Sequence, residues 1–214
     1  MRFGAALCGL LIFAVVGAFT FKVWTAPISK VPENVVCRPS VPEQLPVGPK
    51  VLFWGNSLAF DHSWKVDGHL AVNCARQGMT AMAAVSHIDA LPNVDISASV
   101  VIFGTVELVR GLSDPAPFFD AVEQNVAGLK AKYPGAQVFL VGVPEGSLEV
   151  WRYHDTVSAT DLNDPLQDID ETHYVDTTRL LSQIPDSKQT YDGVHLTDES
   201  YGLIQDEISL LLNK

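Results

Sequence analysis

The sequence predicts one α/β domain built on a mostly parallel sheet with helices on both faces. Strand and helix signals alternate from Lys50 onward, the pattern that gives parallel sheets. The first strand signal is an apolar run that stops at a glycine, followed by a small polar turn, Gly55-Asn56-Ser57. Ligands in such sheets bind outside the carboxyl ends of the strands, so Ser57 falls where a nucleophile would sit.

Strand one is expected at Val51–Trp54, with a helix after Ser57. Strand two is placed at Leu70–Asn73, and a helix of small residues at Thr80–Ala90. Strand three spans Ser99–Phe103. Asp114 and Pro115 form a favoured helix start. Phe118, Val122, Val126 and Leu129 share one face of that helix at 3.6-residue spacing, and Tyr133-Pro134-Gly135 ends it. Strands four and five are expected at Gln137–Val141 and His173–Val175. A last helix runs over Asp198–Leu212, with Tyr201, Ile204, Ile208 and Leu211 inward. Thr197 is its N-cap, and Asp198 and Glu199 suit its positive end. Between strands four and five, Glu145–Glu171 is long and polar, and its Trp151-Arg152-Tyr153-His154 reads either as a lid that stacks on a sugar or as a cap on the core edge. The sequence shows no internal repeat and no second domain.

Residues 50–214 make the domain. Ahead of them, 1–25 is expected to be a signal peptide or membrane anchor, because Phe3 to Phe21 is uncharged between Arg2 and Lys22. About 19 residues at roughly 1.5 Å each span close to the hydrocarbon thickness. Cleavage after Val16-Gly17-Ala18 is the alternative. Either way the domain is expected outside the cytosol, periplasmic or secreted, attached to the membrane only if the segment stays uncleaved. Residues 26–49, rich in proline, read as an extended tether.

A formal net charge of -11 argues against nucleic acid, whose phosphates need a basic face. No dinucleotide glycine fingerprint, phosphate loop or metal-ligand spacing occurs, so no cofactor or metal is expected. Three cysteines are present. With Cys8 in the leader, Cys37 and Cys74 are left as an even pair in a domain placed outside the reducing cytosol, so a bridge is expected.

The chemistry rests on two distant segments. Asp192-Gly193-Val194-His195 supplies a carboxylate and an imidazole, and Ser57 a hydroxyl. A serine is a weak nucleophile until an adjacent base takes its proton, and that base needs an orienting group. Ser57 alone reads as a helix N-cap, and His195 as a surface histidine beside a helix start. Their order and setting favour a Ser57–His195–Asp192 unit. His154 is the one rival base; His62, His69, His87 and His173 read as surface or packing residues.

These residues resemble the SGNH/GDSL hydrolases. Gly55-Asn56-Ser57-Leu58 is similar to that family's first block, with Asn in place of Asp. Gly78 resembles its second-block glycine, and Phe103-Gly104-Thr105-Val106-Glu107-Leu108 its third block. Asp192-Gly193-Val194-His195 matches the last. The resemblance covers roughly residues 50–212 and implies a three-layer flavodoxin-like fold, with Ser57, Asp192 and His195 catalytic and the Ser57 and Gly78 N–H groups as oxyanion donors. Asn56, Val106, Glu107 and Val194 are expected against the substrate. The family's third donor, an asparagine, is replaced by Val106, and an ionised Glu107 beside it would repel an oxyanion. Gly55-Asn56-Ser57-Leu58-Ala59 also approaches the α/β-hydrolase elbow. That fold ranks second, because Ser57 follows the first strand and Asp192 and His195 share one loop.

The sequence therefore points to an extracytoplasmic serine hydrolase cleaving an acyl ester on a small molecule or glycan, an O-acetyl group on a glycan being one candidate target. An acyltransferase using the same serine, and a non-catalytic binding module that kept the fold, are the alternatives. The sequence gives no oligomeric state.

Overall fold

The computed structural model describes Cys37, residues 48–145 and residues 157–214. The leader, most of the proline-rich tether and Trp151-Arg152-Tyr153-His154 lie outside the described residues.

The elements follow in the order β1 (Lys50–Gly55), α1 (Ser57–Phe60), β2 (Leu70–Asn73), α2 (Ala81–Val85), a 3-10 turn (Ile88–Ala90), β3 (Ala98–Ile102), α3 (Thr105–Val109), α4 (Ala116–Lys132), β4 (Gln137–Val141), α5 (Ala159–Leu166), β5 (His173–Val175), α6 (Thr177–Leu181), a second 3-10 turn (Asp186–Lys188) and α7 (Asp198–Leu212). Five strands form one sheet in the order β2-β1-β3-β4-β5, and every pairing is parallel. This is the doubly wound, flavodoxin-like order, whose chain reverses direction across the sheet between β1 and β3.

β1 is buried along its whole length, as a central parallel strand covered on both faces must be. Its side chains alternate between two cores. Leu52 and Trp54 join α2 and α4 on one face; Val51 and Phe53 join α6 and α7 on the other. Trp54 Nε1 donates to Asn125 Oδ1 at 2.9 Å, and Asn125 Nδ2 donates to the carbonyls of Ala81 and Ala121. One buried amide thereby ties β1 to two helices with its polar groups satisfied.

The inward faces expected of the two long helices are observed. Phe118, Val122, Val126 and Leu129 of α4 are buried, as are Tyr201, Ile204 and Ile208 of α7; Leu211 packs at the margin of its core. Asp114 Oδ1 accepts from the Ala116 N–H at the start of α4, and the Thr197 side chain caps α7.

Two expectations about elements are corrected. The helix expected over Thr80–Ala90 is two pieces, parted at Ser86 and His87. The polar stretch after β4 contains α5, with Pro165 inside its last turn. The short helices α3 and α6 have no counterpart in the sequence reading.

Cys37 and Cys74 form a disulfide. Cys74 follows β2 directly, and both residues are buried in the same core. Closing a loop of this size stabilises by about 4 kcal/mol in the chain-entropy model.

Candidate active site

The site begins with a steric requirement at the end of β1. A Cβ on Gly55 would lie 2.1 Å from the Ile102 carbonyl oxygen of β3. Only glycine lets the two central strands stay paired to their ends, and the chain turns immediately after. Asn56 then caps α1, its Oδ1 accepting from the Leu58 N–H at 2.9 Å. Ser57 is thus the first residue of a one-turn helix at the carboxyl end of β1, beside the crevice between β1 and β3.

The second segment is a tight loop before α7. The Tyr191 N–H donates to the His195 carbonyl at 3.0 Å, and an isolated bridge joins Thr190 and Leu196. Inside the loop, Asp192 Oδ1 accepts from the backbone N–H groups of Val194 and His195 at 2.9 and 2.7 Å. Its other oxygen, Oδ2, lies 2.6 Å from His195 Nδ1. His195 Nε2 lies 3.1 Å from Ser57 Oγ. The loop brings a carboxylate, an imidazole and a hydroxyl from 138 residues apart into one hydrogen-bonded chain.

Burial alone would push the Asp192 carboxyl up. Hydrogen bonds from the His195 ring and from the two N–H groups, with the charge of His195, outweigh it and hold the carboxyl below the ordinary range. Asp192 is therefore an anion at neutral pH. Accepting at Nδ1–H, it leaves Nε2 with its lone pair toward Ser57, the tautomer a general base needs.

The second-block glycine lies on a turn. β2 continues past Asn73 alongside β1, with Cys74 N–H bonded to Phe53 O and Arg76 N–H bonded to Gly55 O. The chain then turns over Gln77 and Gly78, closed by Met79 N–H to Arg76 O. Gly78 takes φ 67°, a left-handed conformation that favours glycine. Among the described residues, neither the Ser57 nor the Gly78 N–H donates to a backbone carbonyl. Arg110, at the end of α3, donates from Nη2 to the Gly78 carbonyl at 3.2 Å and steadies this turn. Nothing in the sequence pattern singles out Arg110, because the contact spans 32 residues.

Four residues expected against the substrate separate into two kinds. Val106 is partly exposed in the first turn of α3. Asn56, Val194 and Glu107 are buried. Asn56 acts as a cap, and Val194 contributes its backbone N–H to Asp192. The Glu107 carboxylate accepts from the Ala81 N–H through Oε1 at 2.6 Å and from the Gly104 N–H through Oε2 at 3.0 Å. Burial pushes its carboxyl up, against the pull of those hydrogen bonds and of Arg110. Glu107 joins the starts of α2 and α3 rather than facing the site as a repelling charge.

Three other histidines have contacts of their own. His62 stacks on Tyr201 with ring centroids 4.1 Å apart, His69 contacts the Asp67 carbonyl, and His173 stacks on Phe139. Three rim residues escaped the sequence reading. Tyr191 stacks on His195, and the Asp61 carboxylate accepts from Gln77 Nε2 at 3.0 Å.

No protein-family model matches the sequence, and no curated protein matches it. Solved structures do match in fold. A GDSL-like lipase from Bacteroides thetaiotaomicron superposes with a TM-score of 0.61 at 18% identity, over 77% of this chain and 87% of that one. The lipase/acylhydrolase from Enterococcus faecalis gives 0.63 at 14% identity, over 77% and 95%. A member of the lipolytic G-D-S-L family from Veillonella parvula gives 0.64 at 12% identity, over 78% and 100%. The chain has the fold of the SGNH/GDSL hydrolases.

Proposed function

We propose that the protein is a serine hydrolase of SGNH type that cleaves acyl esters. One observation carries the reading: the Ser57 Oγ, His195 Nε2 and Nδ1, and Asp192 Oδ2 atoms are joined in series at 3.1 and 2.6 Å. A similar fold in lipases and acylhydrolases supports it.

Ser57 Oγ attacks the ester carbonyl carbon while His195 Nε2 takes the serine proton. The carbonyl oxygen becomes an oxyanion, which the Ser57 and Gly78 N–H groups stabilise. Collapse breaks the bond to the alcohol oxygen, and His195 Nε2–H protonates that oxygen as it leaves. Water then attacks the acyl-Ser57 carbonyl, gives a proton to Nε2, and the acid departs as Ser57 regains its hydrogen. Asp192 stays ionised throughout and stabilises the imidazolium in each half-reaction.

The finer reading is deacetylation of an extracytoplasmic glycan. The Cys37–Cys74 disulfide supports an oxidising compartment, and O-acetylated glycans are available there. A panel of acyl esters and acetylated polysaccharides tests it. The expected result is acetate release that Ser57→Ala and His195→Ala abolish in folded protein. Release that survives His195→Ala would show that another group is the base.

Val106 at the expected position of a donor favours a second reading, a binding module that retains the fold. Glycan binding by protein that turns over no ester would support it.

A further inference from the structure

Tyr191 is 69% exposed, one of three large apolar side chains so exposed among the described residues. Surface aromatics of this kind mark contact sites when they sit at a cleft. Its ring lies on the His195 imidazole, with centroids 5.7 Å apart and planes 16° from parallel. The backbone bond from Tyr191 N–H to His195 O fixes this placement. The phenol also feels the mouth of the site: after its own burial, the Asp192 and Asp61 charges push it up. Asp61 is one turn beyond Ser57 and bonded to Gln77, the residue before Gly78.

We infer that Tyr191 is the platform for the alcohol half of the substrate, and that this half is a ring carrying hydroxyl groups, such as a pyranose. The inference rests on the hydrolytic reading of the site. A leaving alkoxide must take its proton from His195 Nε2, so the alcohol lies on the imidazole side, whereas the acyl oxygen lies toward Gly78. The side chain stacked on the imidazole therefore borders the alcohol and not the acyl chain. An exposed aromatic face suits the apolar face of a sugar ring. The neighbouring Asp61 carboxylate and Gln77 amide supply an acceptor and a mixed donor and acceptor for its hydroxyls. A simple alkyl alcohol would use neither.

The test compares two substrates with the same acyl group, an acetylated methyl pyranoside and ethyl acetate, and reads the ratio of their kcat/KM values. Tyr191→Ala is expected to lower that ratio roughly 3- to 10-fold, the scale of a lost aromatic stacking contact. Tyr191→Phe keeps the ring and is expected to hold the ratio within about twofold. A residue that only positioned His195 would slow both esters alike, so an unchanged ratio in Tyr191→Ala overturns the proposal. Turnover of neither ester by the unmodified protein would instead remove the hydrolytic reading, and the platform with it.

Discussion

Asp192 and His195 are bound to each other twice. The ring Nδ1 meets Oδ2 at 2.6 Å, and the His195 backbone N–H meets Oδ1 at 2.7 Å. The same carboxylate therefore sets the rotation of the imidazole and the shape of the loop that carries it.

Asp192→Asn separates these roles. The amide oxygen can keep the two backbone bonds, but the NH2 group now faces Nδ1. That forces the proton to Nε2, which can no longer accept from Ser57. Turnover is expected to fall by up to about 10⁴ with the fold intact. The stability effect has a definite sign. The folded carboxyl sits below its ordinary 3.8, so its contribution is present above that pH and disappears as pH falls through the folded value. With Asp192 43% exposed, the effect at neutral pH is under about 1 kcal/mol. Urea unfolding of both proteins across acidic pH measures it.

Glu107→Gln should be destabilising by about 1–3 kcal/mol, because two backbone donors then meet one acceptor and one NH2 group. Burial raises the Glu107 carboxyl above its ordinary 4.5. Its contribution is thus fully present below that value and is lost as pH rises through the folded one. The stability gap between the two proteins is expected to narrow from pH 4 to neutrality, as followed by denaturant unfolding.

Val106→Asn offers the amide donor that position lacks. Removing one such donor typically costs roughly 10²–10³ in rate, so the substitution is expected to raise kcat on small activated esters. Unchanged kcat in a folded variant would mean that the side chain at 106 does not reach the oxyanion, or that another donor already fills that place.

The Cys37–Cys74 bridge predicts no free thiol from these two residues in denatured, unreduced protein. Cys37→Ser with Cys74→Ser should lower stability by about 4 kcal/mol, read from unfolding curves.

Much of the sheet was legible because parallel strands leave continuous apolar runs; β2, β4, β5 and α7 fall on their expected residues. The misses are short or masked by polarity. The five residues of α3 and of α6 are too few to show a period. Pro165 reads as a breaker in the sequence, yet α5 tolerates it in its last turn. The Asp192 and His195 pair was legible because its members are three residues apart and a local loop joins them. Arg110 on Gly78, and Asp61 with Gln77, were not, because such pairs come together only through the fold. Burial was not legible either: Asn56, Glu107 and Val194 sit beside site residues in sequence, and their side chains are buried in the fold.

Covalent labelling tests the central claim most directly. A fluorophosphonate reacts with a serine only where an adjacent base activates it. Incubation followed by peptide mapping is expected to place one phosphonyl adduct on Ser57, lost in Ser57→Ala and strongly slowed in His195→Ala. Folded, unmodified protein that takes up no label, or takes it at another residue, would contradict the account.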